Sequence, residues 1–134
     1  MNLSNATPAM RDKAYAYMAE RSVPAPALLI SFLIIISIVT PIHIDREAVI
    51  YPLGIALLVV GIIRTINEVN FSRIYAKSPN AWRLVYNITI SLTALIWGLY
   101  CLDVVAYYGI NWVSLMLLVC TAGISAGGII AVIP

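Results

Sequence analysis

The sequence predicts an all-α membrane protein: four transmembrane helices in an up-and-down bundle, with the N- and C-termini both cytoplasmic. Three observations predict it. Of 134 residues, 62% are hydrophobic and only 10% charged, against roughly 25% charged in a soluble domain. So few charges do not cover a water-facing surface, and most of the exterior is expected to meet lipid. The apolar residues also run continuously instead of alternating, which selects helices over a β-barrel. Finally, the basic residues are segregated. Arg11, Lys13 and Arg21 precede the first apolar run, and Arg64, Arg73, Lys77 and Arg83 flank the loop after the second. Only Arg46 falls on the other side, and short Lys/Arg-rich segments stay cytoplasmic.

Residues 1–22 form a polar cytoplasmic or interfacial segment without the cleavage pattern of a secretory signal. Within it, Pro8 to Glu20 reads as a short helix lying on the membrane, where Tyr15, Tyr17 and Met18 would touch lipid, or as a flexible tail. The transmembrane domain occupies 23–134. Span one covers about 24–42, with Pro24 and Pro26 in its first turn, where no backbone hydrogen bond is lost. A short charged loop, His43 to Glu47, leads to span two, about 51–67. The next loop ends in the turn sequence Ser78-Pro79-Asn80. Span three covers about 84–105, a tight turn follows at Tyr107 to Asn111, and span four covers about 112–132. Each run has roughly the 17–25 residues that cross a hydrocarbon core. Trp82, Tyr107, Tyr108 and Trp112 then fall near the interfaces, where amphipathic rings prefer to sit.

Ionisable groups at membrane depth are expensive, so each one is a candidate. Gly54, Leu57, Gly61, Arg64 and Glu68 share one helical stripe, which is expected to face other helices. Arg64 and Glu68 lie one turn apart. Either Arg64 snorkels to the headgroups, or the two form a polar contact that passes movement between spans. Asp103, near the outer end of span three, reads as a hydrogen-bonded carboxylate or as a buried ligand or proton site. Asn87, Thr89, Ser91 and Thr93 mark span three as facing the bundle. Gly123 and Gly127 form a small-xxx-small pair that lets helix backbones approach, within the chain or between copies.

Cys101 and Cys120 read as packing residues, and His43 is a lone loop histidine. No phosphate loop, nucleophile elbow or metal-ligand cluster is present, so neither a catalytic residue, a metal nor a cofactor is expected, and the chain is not expected to be an enzyme. The Asn-x-Thr matches at Asn5 and Asn87 lie on the cytoplasmic side and inside a span, out of reach of glycosylation.

Arg64 near the end of span two, then Trp82, the Trp97-Gly98 pair at the centre of span three, and a Gly/Ala-rich last span ending at Pro134 follow one another in a familiar order. This half of the chain resembles the N-terminal membrane region of bacterial sensor proteins that precedes diguanylate cyclase or hybrid histidine kinase modules. The resemblance implies a sensory or anchoring role in signal transduction and a multi-pass place in the bacterial inner membrane. Those sensors continue into further spans and an output domain, whereas this sequence ends with span four. It is therefore expected to be a piece of a larger receptor or a stand-alone relative. The alternative is an accessory subunit of a larger membrane complex, such as an energy-transducing assembly. The expected partners are lipid and either other membrane subunits or further copies, with no nucleic acid. Small multidrug transporters resemble one another in a membrane-embedded glutamate in span one, and residues 27–40 contain none.

Overall fold

The computed structural model describes the backbone of residues 8–132 and, within it, the side chains of Met10 and residues 12–123. Among the described residues every regular element is a helix: α1 (Pro8–Ser22), α2 (Pro24–Val39), α3 (Ile42–Asp45), α4 (Glu47–Val69), α5 (Phe71–Lys77), α6 (Pro79–Tyr108) and α7 (Trp112–Val132). Three helical runs are long and apolar enough to cross a membrane: Asp12–Val39, Glu47–Val69 and Pro79–Tyr108. The described side chains of α7 add a shorter apolar stretch, Trp112–Gly123.

Prolines set two of the breaks. A residue before proline is driven out of the helical region, so α2 stops at Thr40 (φ −119°, ψ 156°), just ahead of Pro41. The Thr40 hydroxyl donates back to the Ile36 carbonyl at 2.6 Å. By the same sterics Ser78 (φ −152°) ends α5, and Pro79 opens α6. The turn sequence Ser78-Pro79-Asn80 is thus a helix start, and α6 begins five residues before the span predicted at 84. Two segments expected as loops contain helix. His43 lies in α3, and the second loop holds α5. Helix α4 begins at Glu47, carrying Pro52 in its second turn.

At the far end of α6 the predicted turn is present. Gly109 takes φ +66°, a conformation that side-chain-bearing residues avoid. Asn111 then caps α7, its Oδ1 accepting from the backbone N–H groups of Val113 and Ser114 at 3.0 and 3.1 Å.

Helix α4 lies along α6 and α2, and α7 packs against both α6 and α2, closing the bundle across from α4. The core joins Leu29 and Ile36 of α2, Ile50 and Leu57 of α4, Ile96, Tyr100 and Val104 of α6, and Val113 and Leu117 of α7. The exterior is as oily as the core. Ile38 is 74% exposed and Val119 72%, with Ile34, Ile55, Ile62, Leu102 and Leu118 alongside. Soluble monomers rarely expose contiguous apolar surface of this extent, whereas lipid solvates it.

Candidate functional site

The predicted stripe of α4 turns inward. Leu57 and Gly61 are buried, and α2 packs closely over Gly61. A Cβ there would lie 3.4 Å from both Ile30 Cδ1 and Pro26 Cβ. One turn on, the same stripe delivers Arg64 and Glu68. Arg64 Nε donates to Glu68 Oε1 at 2.8 Å. The Ser22 hydroxyl, at the end of α1, donates to the same oxygen at 2.6 Å. The Glu68 side chain is 0% exposed and that of Arg64 11%. Glu68 Oε2 and the neighbouring Asn67 Nδ2 are buried and have no hydrogen-bond partner among the described residues. The carboxylate therefore ties α1 to α4 and keeps one oxygen unspent.

Trp82, 0% exposed, roofs this cluster and donates its indole N–H to the Asn67 carbonyl at 3.0 Å. Aromatic rings surround it. Tyr86 stacks on it at 5.0 Å, and Phe71, Tyr75 and Tyr15 meet it edge-on at 4.9, 5.8 and 6.0 Å. Arg83 lies 4.5 Å over the Tyr15 ring and donates to the Tyr75 hydroxyl at 2.7 Å, while that hydroxyl donates to Asp12 at 2.8 Å. Helix α1 is thus held by a carboxylate at one end and an aromatic box along its length. Tyr15 faces protein, while Tyr17 is exposed beneath Arg21.

At the opposite end of the bundle Arg46 forks onto Asp103, its Nε donating to Oδ2 at 3.1 Å and its Nη2 to Oδ1. The guanidinium also covers the Tyr107 ring at 5.0 Å. The Asp103 hydrogen bond, helped by its charge, holds Arg46 above its usual range. A raised arginine stays charged below its unfolded value, so it keeps its charge at every working pH. Nearby, the Tyr108 hydroxyl donates to Asp45 at 2.6 Å, so two contacts fasten the α3–α4 corner to the end of α6.

Mid-bundle, Trp97 donates its indole N–H to Thr121 Oγ1 at 3.1 Å, joining α6 to α7, and the Thr121 hydroxyl donates in turn to the Leu117 carbonyl at 2.8 Å. Cys101 lies beside the same threonine. Gly98, next to Trp97, points the other way. Neither Gly98 nor Gly123 has an atom within 4 Å of where a Cβ would sit, so no described neighbour approaches closely at either. Gly127 lies outside the residues whose surroundings are described. Of the polar set on span three, Thr89 is buried and, with Thr93, bonds backward to its own helix, but Asn87 and Ser91 face outward. The expectation that they face the bundle of this chain is corrected: they lie roughly opposite the buried side of α6.

Sequence reasoning singled out Arg64, Glu68, Trp97 and Asp103 but missed Ser22, Asn67, the aromatic box and Thr121. The box left a signal: Phe71/Tyr75 and Trp82/Tyr86 are aromatic pairs at one-turn spacing. Ser22 and Thr121 left none, since their partners lie 46 and 24 residues away. Among the described residues no three His, Cys, Asp or Glu side chains converge as a metal site. Comparison with protein-family models, with curated proteins and with solved structures finds no match to the chain.

Proposed function

We propose that the chain is the membrane-embedded sensory or anchoring region of a bacterial signalling protein, crossing the inner membrane four times with both ends in the cytoplasm. The fourth crossing is α7, whose 21 residues rise about 31 Å at 1.5 Å each, enough for a hydrocarbon core of roughly 30 Å. The segregated basic residues support the orientation.

One observation carries the functional reading: Glu68, buried and short of a partner on one oxygen, holds α1 through Ser22 and α4 through Arg64. A buried ion pair with one oxygen short of a partner is costly to keep, and α1 seated and α1 released are the two arrangements of this reading. Small helix shifts convert one into the other. The chain's chemistry is then coupling between the bundle and α1, without catalysis.

The test is a pair of spin labels at exposed Ala16 of α1 and exposed Ala81 of α6, in bilayer discs. In Glu68→Gln and Ser22→Ala, the inter-label distance distribution is expected to broaden and lengthen. Distributions identical to that of the parent protein overturn the reading. Separately, a reporter active only in the cytoplasm and fused after residue 134 is expected to be active, and silence there refutes the orientation.

A second reading, an accessory subunit of a larger membrane complex, is favoured by the outward-facing Asn87 and Ser91. Stoichiometric co-purification with a large assembly in mild detergent would select it.

A further inference from the structure

Between α2 and α4 runs a groove of about 500 Å³. Its walls, Ile30 to Ile38 on α2 and Ile50 to Leu58 on α4, each rise about 12 Å along the helices. Ile34, Ile38 and Ile55 are exposed along it, so it opens towards lipid. The two ends differ in chemistry. Ser37, His43 and Tyr51 line the end nearer Arg46 and Asp103, whereas Ile30, Leu33 and Leu58 line the other.

Ser37 breaks the habit of these helices. Ser31, Thr40, Thr65, Thr89 and Thr93 each return their hydroxyl to a carbonyl one turn back. The Ser37 hydroxyl is buried at the groove wall and has no hydrogen-bond partner among the described residues. Beside it lies the hydroxyl of Tyr100, a residue 1% exposed, equally unpaired among the described residues. Buried hydroxyls without partners are costly, and lipid tails offer none. A carbonyl oxygen, with two lone pairs, accepts from both at once. At the polar end, His43 Nδ1 lies 3.1 Å from the Thr40 carbonyl. A carbonyl only accepts, so Nδ1 carries the proton there, and Nε2 of the neutral ring is left as an acceptor.

We infer that this groove binds a neutral, single-chain acyl ester of the monoacylglycerol class. The ester carbonyl accepts from Ser37 and Tyr100, a head-group hydroxyl donates to His43, and the acyl chain lies along Ile30, Leu33 and Leu58. Three features select this occupant. The unpaired groups are donors buried part-way along the groove, which calls for a carbonyl and not for bare hydrocarbon. Polar residues gather at one end only, which calls for an amphiphile with one polar end. The volume suits one molecule of drug size, and so one chain. Among the described residues no lysine or arginine lines the groove, so nothing there calls for an anion. The inference does not depend on the sensory reading.

The test uses the full chain in bilayer discs of a diacyl phospholipid, and a monoacylglycerol carrying a photoreactive diazirine midway along its chain as the probe. Labelling is expected to saturate and to map to residues 30–38 and 50–58. Unlabelled monopalmitoylglycerol is expected to compete, and hexadecanol, which lacks the carbonyl, to compete about two- to tenfold more weakly, the range for a neutral hydrogen bond. Ser37→Ala and Tyr100→Phe, which keep the shape of the wall, are each expected to weaken probe binding about two- to tenfold. Ser31→Ala, which removes a hydroxyl already returned to the Ala27 carbonyl, is expected to change nothing. Labelling that never saturates or spreads evenly over the lipid-facing surface overturns the inference. So does an affinity unchanged in either Ser37→Ala or Tyr100→Phe, the result expected if the hydroxyls hold only a water molecule. Competition by added diacyl phospholipid or by a membrane quinone as strong as that of monopalmitoylglycerol overturns it too.

Discussion

Replacing Arg64 with methionine, which keeps the stem and removes the charge, puts the Glu68 cluster to its most demanding test. Among the described residues the guanidinium supplies the one positive charge within hydrogen-bonding distance of a side chain that is 0% exposed. Two unit charges about 4 Å apart at an effective dielectric of 20 attract by about 4 kcal/mol. In the variant the carboxylate retains, among the described residues, only the Ser22 hydroxyl, with no partner for Oε2. Removing one member of a buried pair leaves an uncompensated charge and costs about 3–5 kcal/mol, whereas removing both is often neutral. Arg64→Met is therefore expected to lose about 3–5 kcal/mol, and Arg64→Met with Glu68→Leu to recover most of it. The assay is reversible unfolding in mixed micelles titrated with a denaturing detergent, followed by tryptophan emission. If Arg64→Met falls within about 1 kcal/mol of the parent, or the double variant is worse than the single, Glu68 is hydrated and the argument from burial fails.

Gly61→Val is expected to overpack α2 against α4 and cost about 1–3 kcal/mol in the same assay, since even a Cβ meets Ile30 and Pro26 at 3.4 Å. Gly98→Ala, by contrast, meets nothing within 4 Å and is expected to leave the isolated chain unchanged or stabilise it by up to about 1 kcal/mol. Trp97→Phe removes the indole donor to Thr121, which keeps its bond to Leu117, and is expected to cost about 1–3 kcal/mol without changing helix content by circular dichroism. Trp82→Ala empties the aromatic box and is expected to cost about 3–5 kcal/mol. Hydrogen exchange in bilayer discs should then show α1 losing protection ahead of α4 and α6, and uniform loss would mean that the box does not hold α1 specifically.

What was legible in the sequence is what depends on local spacing. The stripe from Gly54 to Glu68 is a property of one helix, so its inward face and the Arg64–Glu68 pair follow from the three- and four-residue intervals alone. The turn at Gly109 and Asn111 is legible for the same reason. Helix α5 was not, because Arg73, Lys77, Ser78 and Pro79 read as loop chemistry. Its order comes from Phe71 and Tyr75 packing on Trp82, a tertiary contact. The small and polar residues of α6 and α7 announce an interface but not which one. Thr89 faces inward, Asn87 outward, and the letters alone do not distinguish them.

The two proline-set breaks also bear on how the bundle meets membranes of different thickness. Thr40 and Ser78 are held extended by covalent sterics, so the helices they delimit cannot lengthen or shorten by winding across these points. Helix α6, with 30 residues, measures about 45 Å, well beyond a hydrocarbon core of roughly 30 Å. The excess has to be absorbed by tilt or by protrusion. Hydrophobic mismatch therefore turns into rotation of a rigid rod, and α1, fastened to the base of that rod through Trp82 and Arg83, is carried along with it.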